Sequence, residues 1–235
     1  MALAYLNAAC GERAIGHPDA RVVPDASLVD VVATPYRHTI TLDGVDDFTS
    51  DERFATTSAS FTARVTWDDV NLYIGYSGPD FEATAADAEY KWLFVYLDTS
   101  AGTGATTSER YNTQGATFPA GFAAEFYVRY KCNGAFTTLE RYDVGAWTTS
   151  APPPDTARAG DMVEIAIPLG SIGAGPTLGI VTWMINEKPL AEGTFAGLYT
   201  DNFTDGYAMD LQLTAFLRAD FVAPNAPNDP ANRAP

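Results

Sequence analysis

The sequence predicts an all-β fold, a single antiparallel β-sandwich, and three observations carry that reading. Residues 59–78, ASFTARVTWDDVNLYIGYSG, sort their side chains as the two arms of one hairpin, apolar on one face and polar on the other. Residues 91–98, KWLFVYLD, are apolar on both faces, as in a strand covered on two sides. No stretch longer than a turn or two carries the 3.6-residue period of an amphipathic helix, whereas roughly ten segments read as strands.

At 235 residues and 46% hydrophobic, the chain can bury a full core within one sandwich domain. Its 14 basic and 30 acidic residues give a formal charge of −16, the wrong sign for a phosphate backbone, which argues against nucleic acid as a partner. The carboxylates read either as a solvated surface or as oxygen ligands for cations. No apolar run approaches the ~18 residues that span a bilayer. Membrane attachment would therefore come from a lipid or a partner.

Taken in order, residues 1–10, MALAYLNAAC, set small residues before Cys10 as a bacterial lipoprotein processing site does, though without a basic start or a long apolar core. Pro18-Asp19-Ala20 recurs as Pro24-Asp25-Ala26 within residues 11–34, a segment too poor in apolar side chains to pack and similar to the spacers of surface lipoproteins. The segment reads either as a lipidated Cys10 with a flexible tether, on an exported protein at the bacterial surface or in the periplasm, or as a frayed terminus with a coincidental cysteine. Cys10 and Cys132 are the only cysteines, so there is no disulfide framework. A bridge between them competes with a lipidated Cys10 and an exposed Cys132.

Strands are expected from His38 onward: HTITLDG, residues 53–57, and then the hairpin. A turn at Asp68-Asp69 sets Trp67 against Val70, whereas a loop over residues 68–71 shifts the register by two and keeps the faces. Either way Phe61, Ala63, Val65 and Trp67 point inward, and Thr62, Arg64 and Thr66 form the polar face. On the 91–98 strand, Leu93, Val95 and Leu97 share one side and Trp92, Phe94 and Tyr96 the other. Residues 99–117, rich in Gly, Thr and Ser, read as a long functional or mobile loop. Residues 122–132 and 135–142 flank Asn133-Gly134, the strongest hairpin signal in the chain. Pro152, Pro153 and Pro154 interrupt the chain ahead of strands at 162–168 and 177–186, and residues 207–221 close the fold. The expected organisation is a tether over 1–34, a sandwich over 35–222 and a disordered tail over 223–235.

Four stretches in this order, ITLDGVDD from Ile40, VTWDDVNLYI from Val65, LFVYLD from Leu93 and VEIAIPLGSIG from Val163, resemble the family 9 carbohydrate-binding modules and the wider DOMON-like sandwiches. The corresponding family pieces are an I-DG-D-W start, a W-D-NLY hairpin, a strand ending in L-D, and a VE-AIP strand with a short turn. The resemblance spans about residues 38–221 and implies that fold. It implies a non-catalytic role in binding a saccharide, with a structural or protein-interaction domain, or a haem-binding electron-transfer domain, as alternatives. One departure is that family members place an Asp and a Val-Glu pair ahead of the L-D strand, where this chain has Tyr90-Lys91-Trp92.

The Asn133-Gly134 turn puts Glu125, Tyr127 and Arg129 on one face with Thr138, Glu140 and Tyr142. An aromatic ring between carboxylates and a guanidinium suits a sugar, whose C–H face stacks while its hydroxyls take the charged groups. The same pattern also describes a solvated face held by cross-strand charge pairs. Trp92, Phe94 and Tyr96 extend this platform or form a second layer of core. Family 9 modules grip a sugar between two tryptophans, so the resemblance nominates Trp147, in a loop setting, and Trp183, for which core packing is the competing reading. Asp43, Asp46 and Asp47, beside Asp51 and Glu52, are candidate ligands for a structural calcium, with Asp201 and Asp205 a second carboxylate group. There is no GxSxG, HExxH or phosphate loop, and His17 and His38 are the only histidines, so the sequence nominates no catalytic group. A haem ligand pair would draw on His38 with Met162, Met184 or Met209, although Met in an apolar strand is usually core.

Overall fold

Residues 33–99, 103–150 and 152–235 are described by the structure, a computed structural model. The strands run in the order β1 (Arg53–Ala55), β2 (Thr62–Trp67), β3 (Asn71–Ser77), β4 (Lys91–Asp98), β5 (Ala116–Thr117), β6 (Phe126–Lys131), β7 (Thr137–Asp143) and β8 (Ala146–Ser150). After them come β9 (Asp155–Ala159), β10 (Met162–Pro168), a single helical turn α1 (Leu169–Ile172), β11 (Thr177–Asn186), β12 (Gly193–Phe195), β13 (Leu211–Gln212), β14 (Phe216–Asp220) and β15 (Arg233–Ala234).

Two antiparallel sheets form the sandwich. The first has the order β1-β2-β3-β10-β9, and the second β15-β14-β11-β4-β6-β7-β8, with β12 on the free half of β11. Among the described residues only the short β5–β13 pair is parallel. Val65, Trp67, Ile74, Val163 and Ile165 of the first sheet meet Leu93, Val95, Val128, Ile180 and Leu217 of the second in the main core. Period-two alternation produces this directly, since every second side chain of each strand turns to the facing sheet.

The β2–β3 hairpin pairs Trp67 with Leu72, Val65 with Ile74 and Ala63 with Tyr76, so the turn spans residues 68–71 and not Asp68-Asp69 alone. The Asp68 carboxylate selects it, accepting hydrogen bonds from the backbone N–H groups of Val70 (2.8 Å) and Asn71 (2.7 Å). β4 lies centrally and is buried on both faces, as its composition requires.

Irregular chain covers both outer faces, and several expectations change with it. Residues 38–44 form no ladder strand. They lie over the outside of the first sheet, where Ile40 and Phe48 pack on Tyr73, Met162 and Ala166. The expected polar face of the hairpin is therefore buried, with Arg64 6% and Thr66 0% exposed. Residues 223–235, expected to be a disordered tail, instead return to the second sheet. Ala234 pairs with Phe216 and is buried, while the Asn232 amide donates to the carbonyl of Ala226 at 2.9 Å. The described part of the expected 99–117 loop, from residue 103, packs with residues 118–124 and 203–216 over the outside of the second sheet. Cys132, read from sequence as either bridged to Cys10 or exposed, lies in the main core, where burial pushes its thiol pKa up. Cys10 and the 1–32 segment fall outside the described residues.

Candidate functional site

The aromatic face read from the Asn133-Gly134 hairpin exists, and it is closed. The register is as expected, with Tyr127 opposite Glu140 and Arg129 opposite Thr138. Gly134 takes a positive φ of 77°, which a residue without Cβ adopts freely at the turn. On that face Trp183, Tyr96 and Tyr127 stack at centroid distances of 5.0 and 4.9 Å. Phe118, Phe122, Leu211 and Leu213 cover them from outside. Tyr127 and Trp183 are each 1% exposed, so neither can meet a ligand, and the covering aromatic residues explain why.

The charged members of the face have partners within the fold. Burial and the Glu109 carboxylate, which accepts its hydroxyl proton, push the Tyr127 pKa far above the ordinary phenol value. The Arg129 guanidinium lies 5.1–5.4 Å from the ring centroids of Trp92, Tyr111 and Phe136, with Glu109 at 4.0 Å. Cation–π contact inside an aromatic box, and not a ligand, accounts for it. Glu140 is buried and accepts from the Thr138 hydroxyl at 3.1 Å. Glu125 accepts from the Thr99 backbone N–H and the Thr103 hydroxyl, both at 2.7 Å.

What remains reachable is the edge of this face at the β7–β8 hairpin, a turn the sequence reading missed. Trp147 belongs to β8 and not to a loop, and it pairs directly across from Tyr142. The turn between them is Val144-Gly145, with φ of 48° and 87°, the two-positive-φ geometry of a type I′ hairpin. Sequence gave only the Gly as a signal, because Val is β-branched and ill suited to positive φ. Tyr142 and Trp147 are half-buried, their rings 5.1 Å apart, and Trp147 makes T-shaped contact with Tyr127 at 4.9 Å. Stacked core thus fixes an aromatic pair whose remaining surface faces solvent.

Facing this pair is the run 104–110, anchored by two 2.8 Å backbone hydrogen bonds between Ala105 and Ala124 and by the Ser108 hydroxyl, which accepts from the Ala116 N–H at 2.8 Å. Between the run and the hairpin opens a cleft of 360 Å³, lined by Tyr142, Trp147, Gly145, Ser108, Glu109 and Arg110. Its walls offer two aromatic rings, a carboxylate positioned by Tyr127, an exposed guanidinium and several hydroxyls. That combination can stack on an apolar ring face and hydrogen-bond equatorial hydroxyl groups.

The acidic groups near the N-terminal segment do not converge. Asp46 binds the Arg64 guanidinium at 2.7 Å and Arg53 at 3.1 Å, Asp47 accepts from the Thr41 N–H at 3.0 Å, and Asp43 accepts from the Val45 N–H at 2.8 Å. Asp201 holds Arg233 at 2.7 Å, and Asp205 accepts from the Thr57 and Ser58 hydroxyls. Among the described residues no three His, Cys, Asp or Glu side chains gather as a metal site. Arg53, Arg64 and backbone donors engage the carboxylates of Asp43, Asp46 and Asp47. His38 Nδ1 is engaged by the buried Glu52 at 2.8 Å, while Met184 and Met162 belong to separate apolar clusters. No helix among the described residues is long and apolar enough to cross a membrane.

No family model matches the chain, and no curated protein does. Among solved structures it is similar to a family 9 carbohydrate-binding module from Caldicellulosiruptor kristjanssonii in complex with cellotriose, at 16% identity and a TM-score of 0.43, over 76% of this chain and 91% of that one. A likeness so slight carries no argument about the site, which rests on the geometry above.

Proposed function

We propose that the domain is a non-catalytic saccharide-binding module whose site is the cleft between residues 104–110 and the β7–β8 hairpin. The observation that supports it is the cross-strand Tyr142–Trp147 pair, half-buried over a rigid aromatic stack and sharing its cleft with Glu109 and Arg110. Each hydrogen bond to a sugar hydroxyl replaces one to water and nets only about 0.5–1.5 kcal/mol, so stacking on these rings supplies much of the affinity. The test is a glycan array followed by titration of the strongest hit into wild type, Trp147→Ala and Thr62→Ala. Binding lost in the first variant and kept in the second supports the site. A Trp147→Ala protein that stays folded and binds like wild type places the site elsewhere, and an array without any hit favours a protein-interaction role.

Export and lipidation at Cys10 belong to the same proposal, supported by the small residues before Cys10 and the Pro/Asp/Ala spacer after it. Wild type expressed with its native upstream start should partition into detergent and Cys10→Ala should not. Equal partitioning of the two removes the anchor.

A further inference from the structure

The charges along the aromatic cleft do not balance. Among the described residues that line it, Glu109 is the one acid and Arg110 the one base. Glu109 is already compensated, since it accepts a hydrogen bond from the Tyr127 hydroxyl and lies 4.0 Å from the Arg129 guanidinium. Arg110 is therefore a surplus positive charge on the wall.

Such a surplus stands out in a chain where acids outnumber bases by 30 to 14. The other described lysines and arginines each meet a carboxylate, a backbone carbonyl or an aromatic ring within the fold. Arg110 alone among the described basic residues makes no hydrogen bond, ion pair or ring contact, and it is exposed. Asp210 lines a smaller cavity with it, yet accepts from the Thr117 hydroxyl at 2.8 Å instead. Asp143, beside Tyr142 in sequence, lines a separate cleft of 620 Å³ on the opposite side of the β7–β8 hairpin, together with Glu125. A guanidinium holds its N–H donors in one plane and matches an acidic group bidentately. The acidic surface elsewhere opposes an anion only weakly, because exposed charges more than about 8 Å apart are largely screened at physiological salt.

From this we infer that the ligand is an acidic saccharide. Its ring stacks on Trp147 and Tyr142, and an anionic group at the ring edge, a uronate carboxylate or a sulfate ester, pairs with Arg110. The inference rests on the saccharide reading of the aromatic cleft and adds the class of sugar to it.

The test is a set of matched trisaccharides, namely galacturonate, mannuronate and sulfated galactose trimers, each beside its carboxyl-reduced or desulfated counterpart. All are titrated into wild type, Arg110→Gln and Trp147→Ala. Wild type should bind at least one charged member about three- to tenfold tighter than its neutral counterpart, the worth of a partly solvated charge-assisted pair. Raising NaCl to about 0.5 M should shrink that ratio. Arg110→Gln should bring the ratio close to one, while Trp147→Ala should weaken both members of a pair. A preference among the uronates assigns the group as a carboxylate, and one confined to the sulfated trimer assigns it as a sulfate ester. Neutral members bound as tightly as charged ones, or a preference that survives Arg110→Gln, overturns the acidic ligand and leaves the aromatic site standing. Failure of every charged trimer while the array yields a neutral hit does the same. If neither the trimers nor any array glycan binds wild type, the saccharide reading falls and this inference with it.

Discussion

Glu164 shows how a single buried group can tie two layers together. It lies on β10, is 1% exposed, and through one oxygen accepts the backbone N–H of Gly44 at 2.7 Å and of Asp43 at 3.1 Å, fixing the 43–47 turn to the first sheet. Its second oxygen has no hydrogen-bond partner among the described residues. Burial, followed by the nearby Asp43 and Asp47 charges, raises its pKa above the ordinary carboxylate value despite the two backbone donors. A carboxyl raised by folding contributes most while protonated. That contribution is complete below the unfolded value, about 4.3, and is lost as pH rises through the folded one. Urea titrations should therefore show wild type losing stability relative to Glu164→Gln as pH rises through that window, with no further change above it. A difference that is constant, or of opposite slope, contradicts the assignment. Asp46 holds Arg64, so removing divalent cations should leave the melting temperature of the domain unmoved; a drop of several degrees on adding chelator would instead support a structural calcium at Asp43, Asp46 and Asp47.

At the scale of elements, the β2–β3 hairpin was legible in its faces but not in what lies upon them. Alternation says which side chains travel together, and Val65, Trp67, Leu72 and Ile74 do enter the core. It is silent about the irregular 38–49 segment, whose Ile40 and Phe48 close the other side. The consequence is measurable. Trp67→Ala should cost about 3–5 kcal/mol through lost burial and a cavity. Arg64→Ala, which a solvated face would tolerate, should cost about 2–3 kcal/mol, because it strips a part-buried carboxylate of a charged donor. A loss below about 0.5 kcal/mol for Arg64→Ala, typical of surface substitutions, would mean that the outer face is open. The β6–β7 hairpin teaches the same lesson at the site. Asn133-Gly134 fixed the pairing of Tyr127 with Glu140, yet the aromatic residues that bury the pair come from segments with no period at all. Tyr111, Phe118 and Phe122 within an otherwise polar run were the only available signal. The β7–β8 turn was missed because Val144 is not a turn former.

For the whole molecule, the sandwich followed from strand pattern, while its limits and its site did not. The limits depend on pairings far apart in sequence, such as Ala234 with Phe216 and the Asn228 side chain with the Ser50 carbonyl at 3.0 Å. Ending the chain at Val222 should therefore lower the unfolding midpoint in urea, by removing an edge strand and exposing Phe216; an unchanged midpoint would mean that the last thirteen residues add nothing to the fold. The site depends on which of the expected sugar-binding residues the covering segments leave exposed. Of Glu125, Tyr127, Arg129, Glu140, Trp147 and Trp183, only Trp147 reaches the aromatic cleft, and Glu125 reaches the neighbouring one.

The accessibility of the four tryptophans tests this directly. Trp67, Trp92 and Trp183 are buried and Trp147 is half-exposed. Limited oxidation with N-bromosuccinimide, mapped by mass spectrometry with and without a saturating array-hit saccharide, should modify Trp147 first and show it protected in proportion to bound ligand. Oxidation of Trp147 at the same rate with the saccharide bound, or protection confined to Trp183, would contradict a site at the β7–β8 hairpin.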